Sequence, residues 1–200
     1  MNNRQRLISA RILKTLTQER TQSVYLMEQI TPIYKWVSTR FPEHQIFGSE
    51  YLGPDYSSGA VVSGIRHENV EALSFASEGF DLIVSNDVLE YVASPIRALT
   101  QCYRVLKPTG EMLITIPFHH ENDVSITRST LKNNELKHEL PPTYHGNPVS
   151  HEGSLVFTDF GWDFLEIARK IGFSSAVAEV YSSSDFGHFG GAQLVFALRK

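Results

Sequence analysis

A single cysteine, Cys102, stands among 200 residues. One thiol excludes an intramolecular disulfide and a cysteine-built zinc site. Its place on an apolar helical stripe makes it a core residue, and a reducing, cytoplasmic setting follows. Long apolar runs are missing as well: no stretch approaches the roughly 20 residues that a membrane helix requires. There is no basic run, and the formal net charge is −4, so neither a nucleic-acid nor a membrane partner is expected. The basic N-terminus, MNNRQRLISARILKTL, lacks a continuous apolar segment followed by a small-residue cleavage site. It therefore reads as an amphipathic helix within residues 1–20 rather than a leader. Internal repeats and low-complexity tracts are absent. No Gly-x-Gly-x-x-Gly loop supports a nucleotide-dependent oxidoreductase. No His-x-x-x-His or acid-rich spacing supports a metal site, so none is expected.

The most informative stretch is FDLIVSNDVLEYVASPIRALTQCYRVLKPTGEMLITIPF, residues 80–118. Phe80 to Ser85 is short and apolar on both faces, as a central strand of a parallel sheet should be. Asn86 and Asp87 follow at its carboxyl end, where open α/β sheets place ligands. From Ser94 the period changes, and Ile96, Leu99, Cys102, Tyr103 and Leu106 share one helical stripe. Ser94 and Pro95 suit the cap and first position of that helix. Pro108 and Gly110 end it, and Glu111 to Pro117 is the next strand. Further strands are expected at 24–27, 45–48, 60–64, 177–181 and 193–198, with helices at 31–39 and 159–171. This alternation predicts one α/β domain over residues 1–200 with a doubly wound parallel sheet. The last two strands lack an intervening helix, so they are expected to pair antiparallel. Residues 119–157 break the alternation. They hold five histidines and read as an irregular, His-rich insertion after the fifth strand, placed to cover the ligand crevice as a lid.

With residues 80–92 and Arg104-Val105-Leu106-Lys107-Pro108-Thr109-Gly110 in view, the chain resembles class I S-adenosylmethionine-dependent methyltransferases. The closest group carries the motifs FDxVxxxxVLEHV and RVLKPGG; here Tyr91 stands for the usual His and Thr109 for a Gly. The resemblance implies a Rossmann-like sheet of about seven strands with the last antiparallel. It implies S-adenosylmethionine as cofactor and a small-molecule acceptor, with a homodimer compatible. Position by position, Glu50 matches the acid that holds the ribose hydroxyls, since a carboxylate accepts two hydrogen bonds from a vicinal diol. Asn69 matches the acceptor for the adenine amino group, with Glu68 as a substitute. Ser85 and Asn86 lie near the methionine part. The glycine-rich loop after the family's first strand is missing: Glu28-Gln29-Ile30-Thr31 occupies that place without a glycine. Glu28 is then a contact for the cationic sulfonium or amino group.

Methyl transfer to a hydroxyl benefits from a general base, and His has a suitable pKa. His145, in Pro142-Thr143-Tyr144-His145-Gly146-Asn147-Pro148, is the first candidate because rigidifying residues surround it. His151, beside Glu152, is the second; His119 and His120 come third. Each has a plain alternative as a surface or loop-packing residue. Asp87 reads equally as a helix cap and Glu90 as structural. Two readings stay open: an O-directed methyltransferase, or a methyltransferase-like domain without activity that serves as a binding or scaffold module. Ile30 or Tyr34 filling the crevice would favour the second.

Overall fold

Alternating apolar residues that face two opposite layers build the central sheet. The computed structural model describes residues 3–17, 20–133, 135–147, 150–183 and 188–200, with backbone alone for 147, 150–152, 183 and 188–192. Among these residues the sheet has six strands: β1 (Ser23–Leu26), β2 (Gln45–Gly48), β3 (Phe80–Asn86), β4 (Leu106–Thr115), β5 (Ser175–Ser183) and β6 (His188–Arg199). Their spatial order is β5-β6-β4-β3-β1-β2. Strands β2, β1, β3 and β4 run parallel. Strand β6 is antiparallel to both of its neighbours. The α/β class, the doubly wound sheet and the antiparallel last strand are as expected.

Among the described residues four α-helices cover the sheet: α1 (Asn3–Leu16), α2 (Pro32–Arg40), α3 (Pro95–Val105) and α4 (Asp163–Ile171). Val24, Leu26, Leu82, Val84, Leu113 and Val195 meet α1 and α2 on one face. Tyr25, Ile83, Met112, Ile114, Phe196 and Leu198 meet α3 and α4 on the other. Successive strand residues thus enter different cores, as the two-residue period of a strand requires. Each fully buried Leu or Ile contributes about 1.5–3 kcal/mol over its exposed state. The buried Arg11 of α1 donates through Nε to Glu179 of β5 (2.7 Å) and through one terminal nitrogen to Glu111 of β4 (3.3 Å). These bonds fix α1 across the antiparallel edge.

Helices α2 and α3 both start at a side-chain cap, at Ser94 as predicted. The Thr31 hydroxyl accepts from the Tyr34 amide (3.3 Å) and the Ser94 hydroxyl from the Arg97 amide (3.4 Å), each before a proline at the first turn. The stripe of α3 is rotated from the predicted one. Ala98, Leu99, Cys102 and Val105 are buried, whereas Ile96 is 56% exposed.

The predicted strand at 60–64 does not join the sheet. Val61–Val62 pairs antiparallel with Ile65–Arg66 instead. Ser63 (φ 51°) and Gly64 (φ 81°) both adopt left-handed backbone and fold the chain back on itself, as two-residue hairpin turns require. The sheet therefore closes at β2 with six strands rather than seven.

The insertion is also more ordered than predicted. Residues 126–127 pair with 158–159, 129–132 with 135–138, and 144–147 with 150–155, all antiparallel. Arg128 ties these pieces together through Asp159 (2.7 Å), the Pro141 carbonyl (2.9 Å) and Thr143 (2.9 Å). The Phe157 amide donates to the Glu90 carbonyl (2.8 Å), which fastens the insertion beside the end of β3.

The face assignment has a direct test in urea denaturation. Ile83→Ala, at a fully buried position, is expected to lower unfolding free energy by about 2–5 kcal/mol. Ile96→Ala is expected to stay within about 0.5 kcal/mol of wild type.

Candidate active site

The carboxyl ends of β1, β2 and β3 converge on one rim of the sheet. The loop 27–31 leaves β1 there and turns directly into α2. With no glycine to relax the backbone, this loop is held by a side chain. Glu50, just past β2, accepts from the Gln29 amide (2.7 Å) and the Ile30 amide (3.0 Å), both at Oε1. Its second oxygen, Oε2, makes no hydrogen bond among the described residues. The Gln29 side chain reaches the other way, accepting from the Arg66 amide (2.8 Å) and donating to the Gly64 carbonyl (3.0 Å).

Gly48 ends β2 beneath this loop. A Cβ there would lie 2.5 Å from the Tyr34 ring and 2.8 Å from the Glu28 carbonyl oxygen. Glycine at this position lets α2 approach the strand closely. Tyr34 packs with the α1–α2 core, and Ile30 is 43% exposed.

Glu28 is buried, with Oε1 lacking a partner among the described residues and Oε2 accepting from the Thr31 hydroxyl. Burial pushes its carboxyl up to about 7, opposed by the Thr31 hydrogen bond; Glu50 and Asp87 repel its charge and add to the rise. Across the rim, the buried Ser85 hydroxyl is also without a partner among the described residues. The Asn86 amide oxygen accepts from the Thr115 hydroxyl (2.8 Å). Asp87 adopts left-handed backbone (φ 52°). Its Oδ2 accepts from Arg4 Nε of α1 (3.1 Å), and its Oδ1 has no partner among the described residues. Burial raises the Asp87 carboxyl and the Arg4 charge opposes that rise.

Asn69 and Glu68 are committed elsewhere. Asn69 Oδ1 caps a short 3-10 turn by accepting from the Glu71 amide (2.9 Å). Glu68 is buried under Arg66 Nε (2.8 Å), the Ser74 amide (2.9 Å) and the Ser74 hydroxyl (2.6 Å). One lone pair of Asn69 Oδ1 is left for an adenine amino group.

Beyond β3, Glu90 is 1% exposed, and among the described residues neither carboxylate oxygen has a hydrogen-bond partner. Burial pushes its carboxyl up to about 8, and Asp87 adds to the rise. The neighbouring Tyr91 hydroxyl meets His145 Nδ1 at 3.0 Å, with the two rings edge to face. The insertion thus delivers His145 to the end of β3. The His151 side chain lies outside the described residues. His119 and His120 sit at the surface beside Glu121, at 3.3 and 3.5 Å. Sequence reading missed Arg4 and the Tyr91–His145 contact. The substitution of Tyr for the family's His at position 91 was the one local signal. Among the described residues no three His, Cys, Asp or Glu side chains cluster as metal ligands. No helix there is long and apolar enough to cross a membrane.

A family model described as a methyltransferase domain matches residues 11–114. A ubiquinone biosynthesis O-methyltransferase of Cereibacter sphaeroides is 27% identical over 137 residues, covering 59% of this chain and 54% of its own length. One from Dinoroseobacter shibae is 48% identical over 78 residues, 33% of this chain and 32% of its own. The chain spans about half the length of the first of these relatives. Among solved structures, a Burkholderia thailandensis 1,6-didemethyltoxoflavin-N1-methyltransferase with bound 1,6-didemethyltoxoflavin and S-adenosylhomocysteine superposes with a TM-score of 0.56 at 17% identity, covering 98% of this chain and 78% of its own. An S-adenosylmethionine-dependent methyltransferase from Mesorhizobium loti gives 0.56 at 15% identity, covering 95% and 96%. At these identities the likeness is one of fold.

The raised carboxyl of Glu28 sets a pH dependence. Its folded pKa of about 7 exceeds the ordinary 4.5, so between those values the native state binds more protons than the unfolded chain. Stability from this group is complete below pH 4.5, falls as pH rises through about 7, and then levels off. Glu28→Gln is expected to make the decline between pH 4.5 and 7 shallower in urea titrations at fixed ionic strength. An unchanged slope would contradict the burial argument.

Proposed function

Since the chain belongs to the methyltransferase-domain family, we propose that it transfers a methyl group from S-adenosylmethionine to a small-molecule acceptor, at a hydroxyl. The observation that carries this reading is a set of buried oxygens at the carboxyl ends of β1 and β3 that are unpartnered among the described residues: Glu28 Oε1, Ser85 Oγ and Asp87 Oδ1. Buried acceptors without donors cost free energy, and a ligand that brings a cation and N–H donors removes that cost. The sulfonium and ammonium of the cofactor are such groups. Glu28, Ser85 and Asp87 would hold the methionine part, with the Asn86 amide alongside. Glu50 Oε2 would take a ribose hydroxyl, and Asn69 would stand near the adenine. The cofactor supplies an electrophilic methyl on sulfur. What remains for the protein is to position the acceptor, exclude water and receive the acceptor's proton.

His145 is the base in this reading. It lies on the insertion, next to the end of β3, and Nε2 makes no hydrogen bond among the described residues. His151 is the second candidate. The insertion at 119–157 closes over the acceptor as a lid. The names of the Cereibacter and Dinoroseobacter relatives support oxygen as the methylated atom.

One observation favours the non-catalytic alternative: Glu50 already spends Oε1 on two loop amides, so ribose recognition rests on a single oxygen. Calorimetric titration with S-adenosylhomocysteine, followed by methyl transfer to a panel of hydroxyl compounds, separates the readings. Saturable binding is expected. It should tighten from about pH 6 to 8, because a bound cation favours ionised Glu28, whose free carboxyl titrates near 7. Asp87→Asn is expected to weaken binding about tenfold, equivalent to about 1.4 kcal/mol. Absence of binding heat and of a thermal shift at millimolar ligand would overturn the proposal. Binding without transfer to any acceptor would favour the binding module.

A further inference from the structure

The two outer strands of the sheet are unequal. Strand β2 is four residues long, short as protected edges usually are. Strand β5, at the other end, runs for nine residues, SAVAEVYSS. It contains no lysine and no proline, the residues with which natural edges ward off a neighbouring strand. Its single charge, Glu179, is taken up by Arg11 of α1, which donates to it through Nε (2.7 Å) and a terminal nitrogen (2.9 Å). Val177 and Val180 are 44% and 64% exposed.

The register decides which backbone groups this edge offers. The Lys200 amide, one residue past β6, donates to the Gly110 carbonyl of β4 (3.1 Å). Even-numbered residues of β6 thus turn to β4, and odd-numbered ones turn to β5. Arg199, Ala197, Val195 and Gln193 stand opposite Ser175, Val177, Glu179 and Tyr181. Those odd residues of β5 spend their amides and carbonyls on β6, so Ala176, Ala178 and Val180 turn theirs outward. Arg169 of α4 agrees with this direction: it donates to the Ala176 carbonyl (2.6 Å) and covers that end of the edge. The amides and carbonyls of Ala178 and Val180 meet no partner among the described residues.

We propose that the β5 edge binds a second copy of this chain, strand to strand and antiparallel, across a two-fold axis at Glu179. That axis sets Ala178 of each copy against Val180 of the other. Both positions turn outward, so each pair exchanges two hydrogen bonds and every free group is used. The same axis sets the exposed Val177 against Tyr181 of the other copy, an aliphatic–aromatic pair. The two Glu179 side chains meet at the axis, but each brings its Arg11, so two anions arrive with two cations. An axis at Ala178 would instead need the Ala176 carbonyl that Arg169 occupies. One short segment supplies both halves of the match, which is the property of a closed two-fold contact. A strand from a different protein has no such reason to fit.

Sedimentation equilibrium of the whole chain tests the pairing. Wild type is expected to show a monomer–dimer equilibrium. Val180→Lys, which places a charge on the edge, is expected to raise the dimer dissociation constant about tenfold or more. Val61→Lys, at a similarly exposed position (66%) on the hairpin of residues 61–66, is expected to leave it unchanged. Hydrogen exchange of the wild type gives a readout that needs no variant: the Ala178 and Val180 amides should exchange more slowly as protein concentration rises. A chain that stays monomeric at submillimolar concentration, as an edge reserved for a different protein would leave it, would overturn the proposal. So would exchange at these two amides that is independent of concentration, or an unchanged dimer in Val180→Lys that circular dichroism shows to be folded. No cofactor or acceptor enters the test, so its outcome is separate from that of methyl transfer.

Discussion

One carboxylate oxygen, Oε1 of Glu50, holds the loop on which the whole rim depends. In a loop without glycine, side chains crowd the backbone and its amides need an acceptor. Glu50 supplies it to Gln29 and Ile30 together, which sets the start of α2 and keeps Glu28 pointed inward. The loop then needs no left-handed residue: none of residues 27–31 has positive φ. Gly48 completes the arrangement by letting the Tyr34 ring close over the end of β2. The consequence is a rim in which a side chain replaces a glycine-rich turn. Ile30 stays at the surface, and Tyr34 belongs to the α1–α2 core.

Around that fixed loop the charges are unbalanced in one direction. Glu28, Glu50, Asp87 and Glu90 gather at three strand ends, and Arg4 is the cation that meets them through Asp87. Carboxyls desolvated without partners rise in pKa, as Glu28, Asp87 and Glu90 do. A rim of this kind favours a cationic ligand near Glu28 and Asp87. Perturbed acids of this sort gather where sites are built more often than elsewhere.

Much of this was legible in residues 80–118 because its signals are local. Ser94 and Pro95 start α3, the apolar run of β3 is too short for a helix, and Asn86-Asp87 ends it at the rim. Long-range or competing interactions hid the rest. Val61-Val62 reads as a strand until Ser63 and Gly64 are recognised as a hairpin turn. Asn133, also at positive φ (50°), marks a turn in the insertion that the histidines obscured. Ile96 looked like a core residue because a helical stripe defines a face only to within a residue or so. Glu50, Ser85 and Asn86 stand at strand ends, and the family resemblance was what singled them out. The commitment of Asn69 to a cap is local, two residues along the chain. The commitments of Glu50 to the loop and of Arg4 to Asp87 join residues 20 or more positions apart, which no local pattern records.

The central claim is that a rim built on a carboxylate-held loop admits an adenosyl ligand. A crystal structure with S-adenosylhomocysteine tests it most directly. The account predicts the ligand at the carboxyl ends of β1 to β3, its amino group in hydrogen-bond reach of Glu28 or Asp87, with Gln29 and Ile30 still bonded to Glu50. A rim that stays closed by residues 28–31 at saturating ligand, or a ligand seated away from these strand ends, would contradict it.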